Sequence, residues 1–244
     1  MYCFRIKIGN IIADVQSKHS YLMKVCEPYL SDEEANCQII IDSESIEYAR
    51  TSALNTYQSA GLTNTETSDW FMEVYVLLNK LLLVLPAYNM LFIHGSAIQY
   101  NGKAYVFVAP SGTGKSTHTR LWKEHFGESV VIINDDKPFI TFRDGNVFIC
   151  GTPWRGKHNL GQNIEAALGG ICILSQGKDD FIWQVQPSEA VQDIVQQCNL
   201  GKYGINTLLA LDLIDDLLRQ VPVYRLSCTP TINSVDVCFD MIIK

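Results

Sequence analysis

The sequence predicts an α/β fold: a strand-rich core organised around a phosphate-binding loop, preceded by a smaller α+β region. Three observations predict it. The run Ala104-Tyr105-Val106-Phe107-Val108 leads into Ala109-Pro110-Ser111-Gly112-Thr113-Gly114-Lys115-Ser116-Thr117, and a helical pattern follows, so a glycine-rich loop joins a strand to a helix. From Leu91 onward, short β-branched and apolar runs alternate with helical patterns and turn dipeptides. Of the 244 residues 47% are apolar and 18% charged, the make-up of a chain that buries a large core.

Taken in order, the opening reads as strands Cys3–Ile8 and Ile11–Val15, a helix over 21–29, and a strand over 38–41. Residues 51–68 are rich in Thr, Ser, Asn and Gly and read as a loop or weakly ordered linker. Asp69 is placed to cap a helix over 70–85. A boundary then falls near residue 88, separating an N-terminal α+β region (1–88), suited to binding a substrate or partner, from the core (89–244). In the core, a strand over 91–98 turns at Asn101-Gly102 into the strand 104–108. The loop helix runs to about Phe126 and stops at Gly127. The strand Val130–Ile133 ends at Asn134-Asp135-Asp136, and strands 140–142 and 147–150 flank Asp144-Gly145. Residues 170–174 form a further core strand. Ser188 caps a helix to Cys198, Asn206 caps a helix whose apolar face is Leu209, Leu213, Ile214, Leu217 and Leu218, residues 221–226 form a strand, and 234–243 a closing helix.

Composition narrows the partners. A net charge of −7 with no basic run argues against a nucleic-acid surface. The apolar stretch 70–85 carries Glu73, Asn79 and Lys80 and ends at Pro86, so it reads as a buried or interface helix, not a membrane span. Eight cysteines without C-x-x-C pairs, and no recognisable signal peptide, lead to the expectation of reduced thiols in a cytoplasmic protein. Oligomeric state is left open.

The chemistry begins at the loop. Its glycines let backbone N–H groups crowd a polyphosphate, and the helix opening at Lys115 presents its positive end there. Lys115 supplies a charge to the outer phosphates, and the Ser116 hydroxyl suits Mg²⁺. The first glycine of the usual G-x-x-x-x-G-K-[ST] pattern is Ala109 here. A nucleoside triphosphate, ATP with Mg²⁺, is the expected ligand. Asp135 and Asp136 end the next strand; if that strand runs beside the loop strand, both carboxylates reach the phosphates, one for the metal and one to accept a proton. Read from the residues alone, His94 is either a core histidine or a member of the site. The loop 151–162, with Trp154, Arg155, Lys157, His158 and Asn159, is the other wall, and of its cations Lys157 is preferred to offset charge on a transferring phosphoryl group.

These residues carry a resemblance. His94-Gly95-Ser96-Ala97, Asn101-Gly102-Lys103, the loop 109–117 and Asn134-Asp135-Asp136 resemble the catalytic half of HPr kinase/phosphorylase over about Leu91 to Phe139. The flanking segments 151–157 and 221–226 look like those of a bacterial sub-family of HPr-kinase-like proteins. The resemblance implies a core of the HPr kinase/phosphoenolpyruvate carboxykinase type with an added N-terminal α+β part. It also implies His94 beside the carboxylates, Lys115 on the β-phosphate, Ser116 on the metal, Asp136 as base, and Asp135 on the metal or on His94. Where that family has a metal-binding Glu in a Gly-rich signature, this chain has Gly151-Thr152-Pro153-Trp154-Arg155-Gly156-Lys157 and no Glu. Phosphorolysis and HPr as acceptor are therefore not carried over.

Two functions follow. The leading one is an ATP- and Mg²⁺-dependent kinase acting on a hydroxyl, of a protein, a peptide or a small molecule, with Ser or Thr of a polypeptide preferred. The other is a nucleotide-gated binding module with little or no transfer. The paired carboxylates favour the first and the missing Glu the second.

Overall fold

The computed structural model describes residues 1–59 and 66–243, and side chains are described outside 56–65. The chain opens with strands β1 (Tyr2–Ile8) and β2 (Ile11–Ser17), paired antiparallel, and β3 (Cys37–Ile40) adds parallel to β2. Strict alternation in β2 buries Ile11, Ala13, Val15 and Ser17 on one face, the period-2 pattern of a half-covered sheet. Helix α1 (Ser20–Val25) precedes β3, and α2 (Ser43–Ser59) and α3 (Asp69–Val84) follow it.

The core follows as β4 (Met90–Phe92), β5 (Gly95–Tyr100), β6 (Lys103–Val108), α4 (Lys115–Phe126), β7 (Val130–Asn134), β8 (Phe139–Arg143) and β9 (Asn146–Cys150). It continues as β10 (Glu165–Gln176), β11 (Phe181–Val185), α5 (Pro187–Cys198), α6 (Thr207–Gln220), β12 (Val223–Cys228) and α7 (Ile232–Ile242). The nine strands form one mixed sheet, seven of them in the order β4-β8-β9-β10-β6-β5-β7, with β11 and β12 on a branch. The long β10 branches it: Glu165–Ala167 pair with β9, while Ile171–Gln176 pair parallel with β12, which pairs in turn with β11.

The central strands are apolar on both faces because both faces are covered. Tyr105, Phe107, Cys172 and Leu174 pack with Trp122 of α4 and Val235 and Cys238 of α7. Val106, Val108, Ile171 and Ile173 point the other way, into an apolar cluster that also takes in α3, α5, α6 and the inner face of the N-terminal sheet. Polar ties reinforce that contact: the Asn10 amide donates to the Tyr88 and Phe142 carbonyls (3.0 and 3.1 Å), and the Trp154 indole donates to Val74 (3.0 Å).

Several sequence expectations need correction. Residues 51–59 are helical, the C-terminal part of α2; Ile46 and Ala49 bury one face of that helix, and tertiary packing overrides the Ser/Thr/Asn content that reads as loop. The rest of the expected linker, 60–65, lies outside the described residues. Asp69 is the first residue of α3, not its cap, and its carboxylate pairs with Arg50. The expected strand 91–98 is two strands broken at Ile93-His94. Gln186, not Ser188, is the cap of α5, its N–H held by Glu189 three residues on (2.9 Å). Asn206 stands at the start of α6, yet its amide donates to the Leu83 carbonyl (2.6 Å), and Leu209 is exposed while Ala210 is buried. Strand β11 was not expected at all.

The stretch Asp69–Tyr88 is long and apolar enough, by length and composition, to cross a membrane, and half of it is buried within this fold. Glu73, near its start, is fully buried and accepts the Lys18 and His19 backbone N–H groups (2.7 and 3.2 Å). All eight cysteines are free thiols.

Candidate active site

Register brings the site together. Strand β5 lies between β6 and β7, antiparallel to both, with Gly95 opposite Val108 and Ala97 opposite Asn134. The carbonyl ends of β6 and β7 therefore point the same way, with the start of β5 between them. The expectation of β7 directly beside β6 is corrected by this order, and the two antiparallel steps restore the same outcome. His94, the loop after Val108 and the pair after Asn134 share one end of the sheet.

In the loop, Gly112 (φ +81°) and Gly114 (φ +119°) hold left-handed backbone that other residues rarely adopt. A Cβ at either would meet nothing within 4 Å, so conformation, not crowding, requires glycine. Lys115 opens α4 and folds back over the loop, its ammonium donating to the Ala109 and Pro110 carbonyls (2.8 and 3.3 Å). Burial pulls its pKa below the usual lysine range, opposed by Asp136 and Asp135.

The carboxylates are held differently. The fully buried Asn134 accepts the Asp136 and Lys137 N–H groups (2.9 and 2.7 Å) and donates to Thr152 (carbonyl 3.1 Å, hydroxyl 3.0 Å), fixing the turn. Asp135 is buried, and its Oδ1 accepts the Ser96 hydroxyl (2.6 Å). Ser96 has then given its only proton, so Thr119 of α4 donates to it (2.9 Å) and ties Asp135 to the loop helix. Asp136 is half-buried; Lys137 pairs with its Oδ2, and its Oδ1 is 3.6 Å from His94 Nε2. On its other side His94 Nδ1 lies 3.2 Å from the Gln197 amide oxygen, and its N–H donates to the Gln197 carbonyl (2.9 Å). Burial first, then Lys115, pull the His94 pKa below 6.5, so the imidazole is neutral at pH 7.

The loop after β9 closes the other side. An isolated bridge pairs Asn134 with Gly161, and the Asp135 N–H donates to Leu160 (3.1 Å). Gly156 (φ +66°) lies so close to Asp136 that a Cβ would sit 3.0 Å from the aspartate Cβ. Trp154 is buried and structural, whereas Lys157 and His158 are exposed at the cavity mouth.

A cavity of about 450 Å³ is lined by His94, Lys115, Ser116, Asp135, Asp136 and Lys157, together with Ser111, Gly112, Gly114 and Thr117 of the loop. Ala109 lies beneath the loop, buried, and Pro110 and Thr113 form its outer turn. A second cavity of about 410 Å³ flanks the loop on the side of Thr113, Leu121 and Thr229. No sequence signal marks out a role for Arg120 in the first cavity, or for Ser96, Lys137 and Gln197 behind it; His158 belongs to the loop 151–162 expected as the other wall. Lys137 adjoins the Asp pair and was open to notice; Gln197 is 103 positions from His94 and carried no local signal.

The donor set suits a hard cation. Ser116 offers a hydroxyl, and Asp135 has one oxygen left beside its Ser96 bond. Among the described residues no group of three His, Cys, Asp or Glu side chains forms a cage.

No family model matches the sequence, and no curated protein matches it. Among solved structures, the chain is similar to the Hpr(Ser) kinase/phosphatase from Coxiella burnetii, at 6% identity and a TM-score of 0.34, over 61% of this chain and 94% of that one. A likeness of that size assigns no family, and the site stands on its own geometry.

Proposed function

We propose that this chain is an ATP- and Mg²⁺-dependent phosphotransferase that places the γ-phosphoryl group on a hydroxyl. The observation that carries the reading is the meeting of a phosphate loop and a paired carboxylate in one 450 Å³ cavity, with a lysine loop across from them. A binding module needs the loop alone; a carboxylate beside the terminal phosphate adds a proton acceptor.

Loop N–H groups and Lys115 would hold the β- and γ-phosphates. Ser116 and the remaining oxygen of Asp135 would hold Mg²⁺, which supplies charge neutralisation across the phosphates when bound. Asp136 would take the acceptor proton as the acceptor oxygen bonds to phosphorus and the bond to the β-phosphate oxygen breaks, leaving ADP. Lys157 would offset charge on the transferring group. His94, its Nδ1 proton given to the Gln197 amide oxygen, would stand beside Asp136 and not act as nucleophile.

One contact favours the second reading, a nucleotide-gated module: Lys137 sits on an Asp136 oxygen that an acceptor would need. The test is Asp136→Asn with γ-labelled ATP, Mg²⁺ and a host-cell extract. The wild type should label an acceptor as an acid-stable phosphomonoester, and the variant should bind Mg·ATP yet lose ~10²–10⁴-fold in transfer. Free phosphate alone from the wild type, or undiminished transfer in the variant, would overturn the kinase.

A further inference from the structure

A third cavity, about 720 Å³, adjoins the phosphate cavity and shares Asp136, Gly156 and Lys157 with it. Its far walls come from the N-terminal region, α1 and α3, and from the loop after β9. The carboxylate assigned as proton acceptor thus stands where two cavities meet, one lined by the phosphate loop and one not.

The lining of this groove has two distinctive properties. One wall is aromatic: Tyr21, Phe71 and Tyr75 line it, Phe71 edge-on to Tyr75 (5.4 Å between ring centres), with Trp70 bridging Tyr21 (4.5 Å) and Phe71 (5.8 Å). Tyr21 and Tyr75 remain 39% and 38% exposed. The other property is charge. Lys24, Lys137, Arg155 and Lys157 line the groove against only Glu27 and Asp136. A chain of net charge −7 has gathered four of its 19 Lys and Arg around one opening. Partly exposed rings beside arginine are the composition of polypeptide-binding surfaces, and a basic lining selects acidic partners.

We propose that this groove binds the phosphate acceptor, and that the acceptor is a hydroxyl-bearing peptide segment with acidic flanks and an apolar or aromatic side chain. The hydroxyl reaches Asp136 at the junction, the acidic flanks face Lys24 and Arg155, and the apolar side chain lies on Phe71 and Tyr75. This rests on the phosphotransferase reading for its direction of transfer, but peptide binding itself requires no nucleotide.

The experiment therefore measures binding without ATP. Fluorescein-labelled seven-residue peptide pools, each with a central serine and one phenylalanine, carry either glutamate or lysine flanks, and anisotropy reports their affinity. The wild type should bind the glutamate pool at least ~10-fold tighter, with the preference shrinking as salt rises. Lys24→Glu combined with Tyr75→Ala, both exposed and outside the phosphate cavity, should weaken the glutamate pool by ~10-fold or more while Mg·ATP affinity stays unchanged. Equal binding of the two pools, or unchanged binding by the folded double variant, would overturn the proposal. So would phosphorylation of a small alcohol such as glycerol as fast as of the glutamate pool. If the glutamate pool binds and Mg·ATP does not, the groove stands and the phosphotransferase reading falls.

Discussion

Lowering the pH should destabilise this protein through His118, one turn into the helix that carries the phosphate loop. The side chain is buried, 4.6 Å from the Phe107 ring, and its Nε2 accepts the Trp122 indole N–H at 3.0 Å. That bond leaves the ring proton on Nδ1, facing Ser234 Oγ at 3.3 Å, and Ser234 passes its own proton to the Thr231 carbonyl (2.8 Å). The neutral ring is satisfied on both sides. Burial pushes its pKa down from 6.5 to about 4, only partly opposed by Asp180. In the unfolded chain the ring takes a proton near 6.5, so the unfolded state binds more protons across that window. Stability is therefore full above pH 6.5 and falls as pH drops toward 4, by about 3 kcal/mol, most of it already lost by pH 4.5. The assay is urea unfolding at several pH values, comparing the wild type with His118→Gln. Other titrating groups, His94 among them, are common to both and cancel in the difference. The gap between the two proteins should shrink by about 3 kcal/mol from pH 7 to pH 4. A gap that stays constant over that range would refute the buried neutral ring.

Three other outcomes follow from the same structure. Gly156→Ala forces a side chain onto left-handed backbone 3.0 Å from the Asp136 Cβ, so it should cost about 1–2 kcal/mol of stability and lower transfer while keeping Mg·ATP affinity; full activity would show that Asp136 is not positioned by this contact. Glu73→Leu strands the Lys18 and His19 N–H groups and should lower stability by about 2–4 kcal/mol in thermal or urea unfolding. Gln197→Ala removes a bond that raises the His94 pKa, so any acid limb of the transfer profile set by His94 should move to lower pH, with Mg·ATP binding at pH 8 unchanged; an identical pH profile would remove Gln197 from any positioning role.

Locally determined features were legible in the sequence. The turns at Asn101-Gly102 and Asp144-Gly145, the helix stop at Gly127 and the loop 109–117 each depend on a few adjacent residues, and their conformations follow from those residues. Features set by distant packing were not. The helical residues 51–59 carry loop-like side chains, and of β10 only 170–174 reads as strand, its first residues being fixed by pairing with β9 ahead of a register shift between Leu168 and Gly170. The order β6-β5-β7 is a matter of sheet topology, so Asp135 and Asp136 reach the loop through an intervening strand that no spacing in the sequence reveals. The Thr119–Ser96–Asp135 chain joins three separate elements and is visible only once they are assembled.

The central claim, that the loop and its neighbouring carboxylates hold a magnesium–nucleotide, is tested most directly by calorimetric titration of Mg·ATP into the wild type and Lys115→Ala. A lysine ammonium about 4 Å from a phosphate charge, partly shielded from solvent, contributes up to ~4 kcal/mol. The account predicts saturable, magnesium-dependent binding by the wild type and a loss of ~10²–10³-fold in the variant, whose fold is retained by circular dichroism. Equal affinity in the two folded proteins, or no binding by the wild type, would contradict it.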